Sequence, residues 1–368
     1  MEKLKTKNFR KFDSTIKKVY KKENIDDQVK MENIFNNILC FLDSDLENIL
    51  KNISVEHKKV IEEIRLRLNK PLMIYMNGKD YFLDQKGKLK TNYNNTFFVN
   101  KESIINTYQK LCNYSIYAVE DEIRNGFITV KGGHRIGIAG RIVYGKNGIE
   151  TIKEISSLNI RIAREKLDVS KKILPYLIKN NNIYHTLIVS PPQCGKTTLL
   201  RDLIRNFSNG IEELEFKGVK VGVVDERSEI ASSYKGIAQN DIGLRTDILD
   251  ACQKYDGIVI LIRSMSPNII ATDELGGIKD IKAIHEALKA GVKIISTVHG
   301  ENINDIKNKP NLKQIMEEKI FERIVILDNS KGVGTIKDIV DGKTFKSLLK
   351  GRNDVYIKNY GKFNDNNI

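Results

Sequence analysis

Ser190-Pro-Pro-Gln-Cys-Gly-Lys-Thr-Thr198 follows the apolar run Thr186-Leu-Ile-Val189 and opens a helical pattern from Leu199 to Phe207. A strand, a tight loop closing on Gly-Lys-Thr and then a helix is the order of a P-loop, in which loop N–H groups and the helix N-terminus face a polyphosphate. Ser190, Pro191, Pro192, Gln193, Cys194, Gly195, Lys196, Thr197 and Thr198 are therefore the candidate nucleotide-binding residues. Lys196 would reach the β- and γ-phosphates, and Thr197 would hold Mg²⁺. One position departs from the consensus: Ser190 stands where G-x-x-x-x-G-K-[ST] has its first glycine, and Pro191-Pro192 stiffens the entry.

Outward from this loop, three further strand ends carry polar groups. Gly218-Val-Lys-Val-Gly-Val-Val-Asp225 reads as a buried strand with an acid at its C-terminal end, the end at which open α/β sheets bind ligands. That makes Asp225, Glu226 and Glu229 candidates for the catalytic face, Asp225 as a metal ligand. Asn268-Ile-Ile-Ala-Thr-Asp-Glu274 has the Walker-B pattern, with Asp273 holding Mg²⁺ and Glu274 polarising the attacking water. Gly291-Val-Lys-Ile-Ile-Ser-Thr-Val-His-Gly300 ends in Thr297 and His299, a γ-phosphate sensor. Taken alone, His299 is equally well an ordinary turn histidine, and for Asp225 and Asp273 the plain alternative is a surface residue capping a strand end. Together they suit phosphoryl transfer, which needs charge neutralisation, in-line positioning and an oriented water.

Such a site also wants an arginine at the γ-phosphate. Within the core Arg201, Arg227, Arg245 and Arg263 are available, and Arg135, Arg141, Arg161 and Arg164 precede it. No other chemistry is visible: His57, His134, His185 and His285 lack metal spacing, and there is no G-x-S-x-G serine.

Before the P-loop the pattern is of another kind. Ile34, Ile38, Leu42 and Leu46 recur at helical spacing. Asn77-Gly78 between two apolar runs marks a hairpin, and a second turns at Gly132-Gly133. Ile104 to Leu111 and Ser115 to Ile123 read as helical, and Ile160-Arg-Ile162 as a strand carrying an outward arginine. Residues 31–165 are thus expected to form an α+β domain with small sheets, preceded by a basic flexible extension over 1–30. A linker helix is expected over 166–182, the ATPase domain over 183–345 and a basic tail over 346–368. Gly257-Ile-Val-Ile-Leu-Ile262 has strand propensity, but only Arg263 to Pro267 separate it from the Walker-B strand. Parallel neighbours need a crossover of about a dozen residues, so a helix is expected there. Phe321 to Asp328 and Gly334 to Ile339 supply late antiparallel strands.

Composition bounds the class. The 368 residues with 40% apolar content suit two domains with real cores. Lys and Arg outnumber Asp and Glu by 61 to 47, a net +14, which favours an anionic partner without choosing among nucleotide, nucleic acid and membrane surface. Cys40, Cys112, Cys194 and Cys252 are far apart, against a zinc site or disulfide framework and in keeping with a reducing cytosol. No apolar stretch approaches the ~20 residues that span a bilayer, so work at a membrane would be done from its surface.

The series from Ser190 to Asp202, Val223-Val-Asp-Glu-Arg-Ser-Glu-Ile230, Leu261-Ile-Arg-Ser-Met-Ser-Pro267, Ala271-Thr-Asp-Glu-Leu-Gly276 and Ser296-Thr-Val-His-Gly300 resembles the secretion ATPases of type II and type IV systems, in their sporulation branch. Gly132-Gly-His-Arg-Ile-Gly-Ile138 and Ser156-Ser-Leu-Asn-Ile-Arg-Ile-Ala-Arg-Glu165 are similar to the N-domain signature of that family. The resemblance covers about residues 60 to 345. It implies a RecA-like P-loop ATPase core preceded by a smaller α+β N-terminal domain, using ATP and Mg²⁺. It further implies a homo-hexameric ring in which the N-domain closes over nucleotide. Asp225, Glu226 and Glu229 then resemble the Asp box, Asp273 and Glu274 the Walker B, His299 the His box, and Arg135 and Arg161 the N-domain arginines. The implied setting is the mother-cell cytoplasm, peripheral to the forespore outer membrane and to the membrane channel proteins of a sporulation complex, with nucleic acid not expected as a partner. Two rivals stay open: a nucleic-acid-stimulated P-loop ATPase, and a nucleotide-gated scaffold with little turnover.

Overall fold

The computed structural model describes residues 33–146 and 148–349, in two compact units that divide in sequence between Arg164 and Glu165. The expected extension over 1–30 and all but the first residues of the expected 346–368 tail lie outside the described residues. Residues 347 and 348 fold back onto the core: Ser347 bridges Val340, and Leu348 N–H donates to Ile339 O at 2.7 Å.

In the first unit, helical turns over 33–39 lead into α1 (Ser44–Lys51), which is capped by the Asp43 side chain. Asp43 also ties α1 to α2 (Lys101–Leu111), because Asn106 donates to its carboxylate at 2.8 Å. Against these helices lies a sheet of β1 (Ile61–Arg67), β2 (Met73–Met76), β3 (Lys79–Leu83), β4 (Leu89–Lys90), β5 (Phe127–Val130), β6 (His134–Gly145) and β7 (Gly148–Arg161), in the order β4-β3-β2-β1-β7-β6-β5. Asn77 (φ 50°) and Gly78 (φ 74°) are both left-handed, as the two-residue turn between β2 and β3 requires. The small sheets expected from the sequence are one sheet of seven strands. The joint is β1, which pairs with β2 on one side and with β7, nearly a hundred residues later, on the other.

The helix expected over 166–182 is also absent. Only Leu174–Leu177 makes a helical turn, with Pro175 in its first positions. Asn180 and Asn181 at φ 50° and 59° then close a short hairpin of Ile178–Lys179 with Asn182–Ile183. This segment is anchored in the second unit by Asp202, whose buried carboxylate accepts the N–H groups of Asp168 (3.0 Å) and Ser170 (2.8 Å).

The second unit is a three-layer α/β structure. Its sheet contains β8 (Thr186–Ser190), β9 (Val221–Asp225), β10 (Thr246–Asp250), β11 (Ile269–Thr272), β12 (Lys293–His299), β13 (Arg323–Asp328) and β14 (Thr335–Asp341), in the order β10-β9-β11-β12-β8-β13-β14. All pairings are parallel except β13 with β14. Every residue of β8, β9 and β11 is buried, the continuous apolar strand that a doubly covered parallel sheet demands. Alternate residues serve opposite layers. Ile188, Val223 and Ala271 pack with Leu199, Leu203 and Phe207 of α3 (Lys196–Asn209). Leu187, Val224 and Ile270 pack with α4 (Lys254–Ser264), α5 (Ile278–Lys289) and, after the short α6 (Ile303–Asn308), α7 (Pro310–Glu317). The run at 257–262 is helical, within α4. The Walker-B strand β11 is separated from the P-loop strand β8 by one strand, β12, so β13-β8-β12-β11-β9 follows the RecA-like order, with β10 and β14 added at the edges. Among the described residues no helix is long and apolar enough to cross a membrane.

Candidate active site

The strand register decides which side chains meet. Ser190 of β8 pairs with His299 of β12, Thr272 of β11 with Ser296 of β12, and Asp225 of β9 with Asp250 of β10. The polar ends read from sequence therefore lie along one edge of the sheet.

Ser190 is fully buried and ends β8; its Oγ donates to Pro191 O at 2.8 Å and its own carbonyl accepts from Gly300 N–H at 3.1 Å. The left-handed positions fall later, at Gln193 (φ 61°) and Gly195 (φ 83°), so the first consensus position needs no glycine here. A side chain at Gly195 would also come within 3.2–3.3 Å of Val333 and Gly334 in the loop between β13 and β14. Pro192 and Gln193 are exposed, Cys194 is buried, and Lys196, Thr197 and Thr198 form the first, half-buried turn of α3.

Lys196 Nζ stands 3.3 Å from His299 Nε2, which stands 3.2 Å from Glu274 Oε2. A single ring nitrogen cannot serve both: with a lone pair it accepts from Lys196, with a proton it donates to Glu274. His299 is held from behind by Lys309, whose Nζ donates to its carbonyl. Arg227 lies 3.9 Å from Glu274.

Asp225 is fully buried and does something the sequence did not disclose. Oδ1 accepts the N–H of Glu229 and Oδ2 those of Ile230 and Ala231, each at 2.9 Å. Expected as a metal ligand, its carboxylate instead spends both oxygens on shaping the loop that presents Glu226 and Glu229, both exposed. Burial pushes its pKa up to about 6, against the hydrogen bonds from Ala231 and Glu229. On the other side of this loop Arg201 of α3 donates to the carbonyls of Ile230 and Glu229. Arg245 is likewise occupied, with Ser208 O at 2.8 Å. Among the core arginines weighed from sequence, Arg227 is the one that lies beside Glu274.

Asp273 follows β11 and is 6% exposed; burial pushes its carboxyl above the ordinary range, with Lys254 opposing. Lys254 forms a close ion pair with Glu226 and a longer one, 3.5 Å, with Asp273 Oδ1. Burial works against the ammonium, but the hydrogen bond to Glu226 and the charge of Asp273 outweigh it and raise its pKa. Sequence reasoning missed Lys254 and Lys309; the available signal for Lys254 was a cation in the first turn of a helix, where the macrodipole disfavours it.

Whether these residues suit a nucleotide with Mg²⁺ can be tested on the polar atoms left over. Thr272 Oγ1, Asp273 Oδ1, Thr297 Oγ1 and His299 Nδ1 are all buried without a hydrogen bond. Buried polar groups ordinarily have partners; Thr272 lies with Ile270 on the α4 face of the sheet, whereas Asp273, Thr297 and His299 continue the positions of β11 and β12 that pack toward α3. Those last three are the donor and acceptor set a hydrated divalent ion and a phosphate would complete.

Arg135 and Arg161 belong to the first unit, where they are paired across β6 and β7. Arg135 stacks on the Phe127 ring, 3.5 Å from its centroid, and Arg161 lies 3.7 Å from Glu63.

The fold is similar to that of the ATPase DotB of Legionella pneumophila, with 13% identity, coverage of 72% of each chain and a TM-score of 0.46. It is also similar to the pilus retraction motor PilT, with 14% identity, 72% and 74% coverage and a TM-score of 0.47. In sequence, the chain is 42% identical over 306 residues to stage III sporulation protein AA of Bacillus subtilis (strain 168), covering 83% of this chain and 95% of that one. The family model for sporulation stage III, protein AA matches residues 30–346, and the chain belongs to that family.

Proposed function

We propose that this protein is a Mg²⁺-dependent ATPase, a secretion-type motor that works as a homo-hexamer and powers or assembles a channel complex in sporulation. The observation that carries the proposal is the contact chain Lys196–His299–Glu274, which joins the P-loop, the His-box strand and the Walker-B strand within hydrogen-bonding distances.

In this reading the N–H groups of 193–198 and the N-terminus of α3 take the phosphates, and Lys196 leaves His299 for the β- and γ-phosphate oxygens. Thr197 and Asp273 would hold Mg²⁺, which when bound neutralises phosphate charge and fixes the geometry of the transferred group. With Lys196 drawn to the phosphates, His299 is left to Glu274 alone and holds its carboxylate toward the attacking water, so the catalytic base is oriented only when phosphate occupies the P-loop. Asp225 keeps the loop of Glu226 and Glu229 in place. Arg227 is the core arginine set beside Glu274, and Arg135 and Arg161 are assigned as phosphate contacts made in the working assembly. Its site of work is the mother-cell cytoplasm, at the forespore outer membrane. The net charge of +14 suits peripheral attachment to an anionic membrane beside membrane channel proteins.

The test is ATPase rate against protein concentration for wild type, Lys196→Ala and Glu274→Gln, with mass measured with and without ATP-Mg. Turnover that rises as rings assemble, and vanishes in both variants while Glu274→Gln still binds nucleotide, is the expected result. Turnover by a monomer, or turnover that requires DNA or RNA and falls steeply with salt, would overturn the motor. Nucleotide-driven assembly without hydrolysis would make the protein a scaffold.

A further inference from the structure

Lys254 is the first residue of α4 and is 8% exposed. A cation there opposes the helix macrodipole, and a buried ammonium is costly unless paired. Both costs are offset by carboxylates from two strand ends, Glu226 after β9 and Asp273 after β11. The helix is packed so as to bring it there. Gly257, three residues on, lies so close to β9 that a Cβ would sit 2.6 Å from Val224 Cγ1, and one at Gly222 would sit 2.9 Å from Leu261 Cδ1. The two glycines let α4 and β9 pack this closely.

The two ion pairs are unequal. Glu226 makes a hydrogen-bonded contact, whereas Asp273 Oδ1 is 3.5 Å away and has no hydrogen bond at all. On the neighbouring strand β12, Thr297 Oγ1 is likewise buried without a hydrogen bond. Lys254 also lines an open cleft with Asp280 and Asn311, into which its flexible stem can swing. A divalent ion and an ammonium cannot both sit hard against one carboxylate, and the longer, unbonded contact is the one that yields.

We propose that Lys254 is a built-in counter-cation: it neutralises Asp273 in the nucleotide-free protein and gives that carboxylate up to Mg²⁺ when nucleotide binds, staying paired with Glu226. The inference rests on the ATPase reading above and adds to it a residue that sets the Mg²⁺ requirement.

The experiment follows binding of a fluorescent ADP analogue as Mg²⁺ is titrated. Lys254→Met keeps the length and apolar stem of the side chain and removes the competitor, so half-saturating Mg²⁺ falls about tenfold, the scale of one charge removed at a few ångströms. Lys254→Arg keeps a competitor and stays near wild type. An unchanged or higher Mg²⁺ requirement in Lys254→Met overturns the proposal. A readout on the wild-type protein guards against a variant that fails to fold: the acylation rate of Lys254, measured by mass spectrometry with ADP plus EDTA and with ADP plus Mg²⁺. Release from Asp273 raises the rate with Mg²⁺; equal rates overturn the exchange. Wild type that binds no nucleotide under either condition overturns the ATPase reading and this inference with it. Binding with an unmoved Mg²⁺ dependence overturns only the inference.

Discussion

Arg201 Nη2, on the P-loop helix, donates to the main-chain oxygen of Glu229 at 2.7 Å. The loop over 226–231 is thus held by its carbonyls from α3 and by its N–H groups from Asp225. The planar Arg201 fork therefore couples α3 directly to the backbone at 229–230. Arg201→Ala is expected to cost about 2 kcal/mol in urea unfolding, the scale of hydrogen bonds from a charged donor, and to lower turnover more than nucleotide affinity. Arg201→Lys does not restore turnover, because an ammonium lacks the planar fork that reaches two carbonyls. Full activity in Arg201→Lys would reduce this contact to a simple charge.

Gly195 links loop conformation to binding. Alanine at φ 83° carries about 1–2 kcal/mol of backbone strain, and its Cβ presses on Val333 and Gly334. Gly195→Ala is expected to lose detectable binding of a fluorescent ADP analogue while keeping the far-UV circular dichroism of wild type. Ser190→Gly addresses the opposite case. Ser190 is not left-handed, so glycine there gains no loop geometry and loses the Oγ contact to Pro191, and no tighter binding is expected.

What could be seen in the sequence follows from what is local. Doubly covered parallel strands are continuous apolar runs, so Thr186–Ser190, Val221–Asp225 and Ile269–Thr272 were legible together with the polar residues at their ends. The helix over Lys254–Ser264 was legible from connection length rather than propensity. The seven-strand sheet of the first unit was not, because the pairing of Glu63 with Arg161 is set by register across a hundred residues. The linker helix failed at Pro175, which confines the helical turn to Leu174–Leu177, and at the left-handed Asn180-Asn181 that close the hairpin after it. Lys254 escaped because its partners, Glu226 and Asp273, meet it only in the folded sheet.

His299 Nε2 faces both Lys196 and Glu274, and its Nδ1 is buried without a partner. Its removal should therefore affect chemistry rather than binding. His299→Ala is expected to lower kcat about a hundredfold, the lower end for a positioned proton-handling group, with little change in affinity for the ADP analogue. His299→Gln, which can donate to Glu274 but cannot alternate with a lone pair at the same atom, is expected to recover only part of the loss. An equal loss of nucleotide affinity in both variants would make His299 a phosphate ligand instead.

His134, 1% exposed, gives the first unit a pH signature of its own. Its Nδ1 accepts the Ala163 N–H at 3.1 Å, so the folded protein holds the imidazole neutral. Burial, helped by the charge of Arg164, lowers its pKa from 6.5 to about 4. Between those values the unfolded chain binds the proton and the folded one does not, so this group's contribution to stability is complete above pH 6.5 and is lost as pH falls toward 4. The full effect is about 3 kcal/mol. His134→Gln keeps an acceptor for Ala163 and does not titrate, so the difference in melting temperature between it and wild type should change between pH 4 and 6.5, wild type losing ground as pH falls. In the second unit Asp225, with its pKa raised from 3.8 to about 6, acts in the opposite sense, being favoured by the fold when protonated and losing that advantage as pH rises through 6. His185, lowered to about 4 by burial, partly cancels it. A melting difference between His134→Gln and wild type that stays constant across the range would mean that the imidazole is charged in the folded unit.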